Sequence, residues 1–138
     1  MSYGGVFYSL TDDQLQRIIA GSLDGESFLQ GSSAEKPADC YSEGELFWYE
    51  LAKILHTENG CGADITEAVP ESGAYSYSED VQRTADALTR LSKEEVRRRH
   101  EQLVTGFSYE AVYKAILGLS FFYKRAQRAG HAMLFNIR

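Results

Sequence analysis

The chain has 138 residues, 43% of them hydrophobic and 12% aromatic, a composition that supports a packed core and excludes a disordered chain. A domain of this length hides roughly two-thirds of its unfolded surface, so neither a disulfide framework nor a structural metal is required. The formal net charge is −6, but it is unevenly spread. Residues 1–80 carry 15 acids against Arg17, Lys36 and Lys53, a net of −12, whereas residues 81–138 carry five acids against 11 Lys and Arg, a net of +6. Such asymmetry bears on partners and steering rather than on fold.

Met1 to Phe7 shows neither a basic segment nor the long apolar stretch of a secretion signal, and no apolar run approaches the about 20 residues of a membrane span. The chain is therefore expected in the cytoplasm, as one domain over residues 1–138. Cys40 and Cys61 are its two cysteines, and in that compartment they are expected as thiols.

Tyr3 to Leu10 is rich in aromatic and β-branched residues and predicts a strand. Thr11-Asp-Asp-Gln14 fits a capping box for a short helix with Leu15, Ile18 and Ile19 inward and Gly21 as its stop. Gly21 to Asp39 reads as a loop with one turn of helix. Ser42-Glu-Gly-Glu45 matches a second capping box, opening a helix from Leu46 to near His56.

In that helix Phe47, Trp48 and Tyr49 are successive residues, turned about 100° apart, so all three cannot face one core. Two readings follow: a helix buried on two sides, or an exposed aromatic anchor for a partner. Glu58 to Gly73 reads as an irregular loop pinned by Ile65 and Val69, and Tyr75 to Tyr77 as a brief extended segment.

Ser78 is placed as N-cap of a helix with Val81, Ala85, Leu88 and Leu91 inward. Ser92 to Glu95 is a third capping box, leading through Val96, His100 and Leu103 to a break at Gly106. The longest helix runs from Ser108 or Tyr109 to Ala129, with Gly130 as C′ residue, and His131 to Ile137 closes the chain as a strand. The expectation is a mostly helical α+β domain of about five helices, with a small antiparallel sheet formed by the N- and C-terminal strands.

For chemistry, His56, Cys61 and Asp64 are the nearest approach to a nucleophile with a base and an acid, around a glycine-flanked loop. His56 at a helix C-terminus and glycines in a turn serve structure equally well, so no catalytic residue is assigned. His56, His100 and His131 are dispersed, so no metal site is assigned, and no phosphate-binding glycine loop occurs; no cofactor is expected. Arg97 to Arg99 fan around a helix rather than forming one stripe. Neutralisation of the acidic half is expected of them, not nucleic-acid binding.

The N-terminal strand and helix (Val6-Phe-Tyr8 to Leu15-Gln-Arg-Ile-Ile19), Trp48-x-x-Leu51-x-x-x-Leu55, and the stretch from Tyr75 with Ala87-Leu88, Leu91-Ser92, Phe122-Tyr123-x-x-Ala126 and Gly130-His-Ala132 resemble the YfbM-like family of bacterial domains of unknown function. The resemblance spans nearly the whole chain and implies a small cytosolic α+β protein, with no established catalytic residues. Ala52 stands where family members often have histidine, and the loop of residues 60–73 is particular to this chain.

The expected function is that of a non-catalytic bacterial immunity or antitoxin-type protein, neutralising a toxin or effector encoded nearby through an acidic, aromatic-bearing face. Glu43, Glu45, Trp48, Tyr49 and Glu50 are the first expected contacts, with Tyr75, Tyr77 and Glu79 next. Neither nucleic acid nor membrane is expected as partner. The alternative is a small-molecule-binding or enzymatic domain with a pocket between the helices and the terminal strands.

Overall fold

A computed structural model describes residues 4–45 and 47–137, with side chains except those of residues 43–48. Tyr3 and Leu46, expected in the first strand and second helix, lie outside the described residues. In chain order the elements are β1 (Gly4–Leu10), α1 (Asp12–Ala20), α2 (Gly25–Gln30), β2 (Asp39–Glu45), α3 (Phe47–Ile54), β3 (Asp64–Thr66), β4 (Gly73–Ser76), α4 (Ser78–Arg90), α5 (Lys93–Glu101), α6 (Tyr109–Ala129) and β5 (Ala132–Ile137). The α+β expectation holds, with six helices and five strands among the described residues.

The two terminal strands do pair, antiparallel, with Phe7 opposite Phe135 and Tyr8 opposite Leu134. They are the centre of a larger sheet ordered β2-β1-β5-β4-β3, antiparallel throughout. Because side chains alternate along a strand, this central pair feeds two cores. Phe7, Met133 and Phe135 join the buried residues of α3, α4, α5 and α6 on one face. Tyr8, Leu10, Ala132 and Leu134 join Leu15 and Ile18 of α1 and Phe28 and Leu29 of α2 on the other. Each large side chain so buried contributes about 1.5–3 kcal/mol.

Local signals account for most helix ends. Thr11 Oγ1 accepts the Gln14 amide while Gln14 Oε1 accepts the Thr11 amide, both at 3.0 Å, and Gly21 stops α1 at φ 85°. Gly130, at φ 69°, ends α6 as expected, with the His131 amide reaching the Ala126 carbonyl at 2.9 Å. Ser92 caps α5, but the Glu95 carboxylate turns to Arg98 and Arg99.

Three expectations are corrected. Ser42 is no helix cap: it lies within β2, opposite Val6, and Glu45 is opposite Gly4. The pairing that β1 offers outweighs a cap worth about 1 kcal/mol. Tyr77 rather than Ser78 is the N-cap residue of α4; the Ser78 amide and hydroxyl both donate to the Asp12 carboxylate, at 2.8 and 2.5 Å, tying the starts of α1 and α4 together. The 58–73 stretch holds β3 and reaches β4, and Ile65 does not pin it, being 81% exposed, while Val69 is buried. Helix α3 ends at Ile54, near His56 as expected.

Where α6 crosses β2, Gly118 leaves room for the Tyr41 ring, whose hydroxyl donates to the Ala115 carbonyl at 3.1 Å. A methyl group at 118 would run into that ring. Alanine gains about 1 kcal/mol of helix propensity over glycine, whereas overpacking costs about 1–3 kcal/mol. Gly118→Ala is therefore expected to lower the urea midpoint, and the same change in a Tyr41→Ala background to be neutral or stabilising; a raised midpoint in the otherwise native chain would contradict the contact.

Candidate functional site

Of the expected partner contacts, Glu43 and Glu45 fall on β2 and Trp48 on α3, but their side chains lie outside the described residues. Tyr49 is 48% exposed, and the Lys53 ammonium sits 4.2 Å over its ring. The inner side of α3 is Leu51 and Ile54, continued by Leu55, all buried in the larger core. Glu50 is half-buried, and its Oε2 has no hydrogen-bond partner among the described residues.

Tyr75 and Tyr77 pack instead against the smaller core, across the sheet from α3, with their rings edge-on at 5.6 Å. The Tyr77 hydroxyl donates to Gln16 Oε1 at 2.7 Å, and burial, then Tyr75, raises its pKa above the ordinary phenol value. Glu79 pairs with Arg83 at 2.8 Å on the exposed side of α4. The expected contacts thus divide between two sides of the sheet.

Composition reading missed the outer side of α6. That helix packs on both β2 and α3, and it exposes Leu117 and Phe121, one turn apart, by 42% and 58%. Phe121 lies next to the buried Phe122 and Tyr123, and the same 100° rule that separates Phe47 from Trp48 turns it outward. With Tyr49 on α3, these are exposed large apolar side chains on two helices that pack on each other and on the edge strand β2.

The three successive arginines of α5 do fan out. Arg97 stacks 4.2 Å over the Tyr109 ring, Arg98 pairs with Glu95, and Arg99 reaches Glu58, Glu95 and the Ile54 carbonyl. Lys53, Arg98 and Arg99 line a concavity of about 310 Å³, so its two guanidinium groups are already matched by carboxylates. Arg98, then Arg99, holds the Glu95 carboxyl down to about 2, and Arg17, then Gln14, does the same for Glu35.

Both acids have folded pKa values below their ordinary 4.5, so their contribution to stability is complete above about pH 4.5 and lost as pH falls toward about 2. These pairs are exposed and screened by salt, so the effect belongs to low ionic strength. At low salt, Glu35→Gln and Glu95→Gln are each expected to reduce the fall in Tm across that window. Parallel curves for variant and native chain would refute it.

The structure brings His56, Cys61 and Asp64 to one concavity of about 320 Å³ under the 59–62 turn. The arrangement does not make a nucleophile. Burial pushes the Cys61 thiol up to about 12, and Tyr123, itself buried, fixes the turn by donating to the Gly60 carbonyl at 2.7 Å. Thiolate is the reactive form, so in the native protein iodoacetamide at neutral pH should modify exposed Cys40 and spare Cys61 until denaturant is added. Modification of both at equal rates would reverse that reading.

Another concavity of about 320 Å³ lies between the end of α6 and the terminal strands, lined by Ser9, Asp39, Arg125 and His131. Ser9 Oγ is 2.9 Å from His131 Nδ1, and Arg125 Nε donates to Asp39 Oδ2 at 2.6 Å. These residues are 122 and 86 positions apart, and no spacing rule joins them. Among the described residues, no three His, Cys, Asp or Glu side chains converge as a metal-ligand set. No described helix is long and apolar enough to cross a membrane.

Comparison with protein-family models and with curated protein sequences returns no match. The fold, however, is that of a solved protein. The chain superposes on YfbM from Escherichia coli, a protein of unknown function, with a TM-score of 0.58, covering 98% of this chain and 99% of that one at 15% sequence identity. This protein therefore has the YfbM-like fold, over essentially its full length.

Proposed function

We propose that this chain is a non-catalytic binding protein of the bacterial cytoplasm, of the immunity or antitoxin kind, which neutralises a toxin or effector by covering its surface. The observation that carries the reading is the exposure of Tyr49 on α3 and of Leu117 and Phe121 on α6, two helices in contact with each other and with the edge strand β2. The acidic residues Glu43, Glu45 and Glu50 belong to the same β2–α3 stretch, in the half of the chain with net charge −12.

The division of labour follows from elementary electrostatics. Rim carboxylates speed encounter with a basic surface, and a few desolvated aromatic side chains then slow dissociation. Tyr75 and Tyr77, across the sheet, would form a second and smaller contact, with Glu79 at the start of α4 beside them in sequence. The burial that keeps the Cys61 thiol protonated supports a role without nucleophilic chemistry.

The partner chemistry is a basic protein, and the product of an adjacent toxin-like gene is the one to test. Direct binding is expected, with Glu43→Lys plus Glu45→Lys lowering the association rate about tenfold at low salt. Phe121→Ala and Tyr49→Ala should act on dissociation instead, by about tenfold or more. No binding to any neighbouring toxin, or binding untouched by the charge reversals, would dismiss the reading.

A further inference from the structure

The concavity at the end of α6 holds donors that the fold does not use. Ser9 is buried in β1, and His131 follows Gly130, the glycine that turns the chain from α6 into β5. Their 2.9 Å contact fixes the imidazole through Nδ1. The Ser9 hydroxyl can donate to Nδ1, which leaves the ring proton on Nε2, the tautomer that a bound carboxylate would select. Nε2 has no protein partner among the described residues.

Arg125 is placed in a similar way. It donates to Asp39 through Nε at 2.6 Å, while the other Asp39 oxygen accepts the Cys40 amide at 2.9 Å. Asp39 is thereby held on both oxygens. The terminal amino groups of Arg125, with no acceptor among the described residues, keep the planar fork that suits a carboxylate.

A serine–histidine pair also raises hydrolysis. A nucleophile must present its oxygen to substrate, whereas Ser9 is only 2% exposed and is bonded to the histidine. Positioning of the ring is the role the geometry gives it. We propose that this concavity binds the carboxylate of a small organic acid, held between the Arg125 amino groups and His131 Nε2–H. At about 320 Å³ it stands at the small end of ligand sites, in keeping with a small acid.

The site adjoins the docking surface, since Arg125 lies one turn beyond Phe121 on α6, but its test needs no protein partner. The probe is acetate, added to the full chain at constant ionic strength while the imidazole resonances are followed by NMR. A saturable shift of His131, with His56 and His100 unmoved, is expected. Arg125→Lys keeps the charge but loses the fork, and should weaken binding at least tenfold. Arg128→Gln, on the same helix but outside the concavity, should leave it unchanged.

Three results would overturn the proposal: no saturable response with acetate on the order of 50 mM, far weaker than specific ligands; an equal response to chloride; or a response that survives Arg125→Lys. Arg125 is half-exposed, so the variant is expected to fold; should it not, the native chain with acetate and chloride decides alone.

Discussion

The pairing of β1 with β5 is the constraint on which the rest of the structure depends. It brings the two ends of the chain to the middle of the sheet, and its register decides which side chains enter which core. Phe7 packs against Phe135, ring centres 4.7 Å apart and the rings tilted, on the side of α3 to α6, while Tyr8 and Leu134 face α1 and α2. A slip of one residue would exchange the two sets. The same register puts Ser9 opposite Met133, two residues beyond His131, and opposite Asp39 on its other flank. The concavity at the end of α6 is thus a by-product of sheet register before it is anything else.

A second consequence concerns charge. The acidic and basic parts of the chain do not stay apart: Arg83 meets Glu79 and Asp80, Arg99 meets Glu58, and Arg125 meets Asp39. These contacts are not equal. The Arg83 pairs are exposed and contribute little, whereas Arg99 and Glu58 have side chains only 18% and 8% exposed and share the cation with the carbonyl of Ile54 at the end of α3. Removing one member of such a pair leaves a buried charge without compensation, which is why the pair locks α3 to α5 even though its formation carries a desolvation penalty. Arginines that look like a polyanion-binding run in sequence are therefore committed, in large part, to holding helices.

What the sequence made legible follows the range of the interactions involved. Thr11-to-Gln14, Ser92, Ser108, Gly21 and Gly130 act within a turn of helix, and each helix end they mark is where expected. β1 and β5 were legible because their alternation serves two buried faces. β2 and β3 were not: they are edge strands rich in Gly, Ser, Asp and Thr, with no apolar pattern of their own, and they exist because β1 and β4 offer them partners. Ser42 matched a capping pattern for that reason, since a four-residue motif cannot register a strand 36 positions upstream, where Val6 lies opposite. The candidate sites divide the same way. Helix geometry alone required one of Phe47, Trp48 and Tyr49 to point away from a single core without saying which, whereas Ser9 with His131 required the sheet.

Helix α6 joins these levels. Eight of its 21 residues are buried, from Val112 to Ala126, so its axis is fixed against the sheet along nearly its whole length. Side chains on its outer side are then held in place by a backbone that has already lost its freedom, and binding through them costs less ordering than binding through a loop. Leu117 and Phe121 gain from this in the middle of the helix, Arg125 and His131 at its end. Because Gly118 lets Tyr41 of β2 come against the helix at that level, the exposed pair is braced by the edge strand as well. The rigidity that makes α6 the main support of the larger core is also what makes its outer surface suitable for recognition.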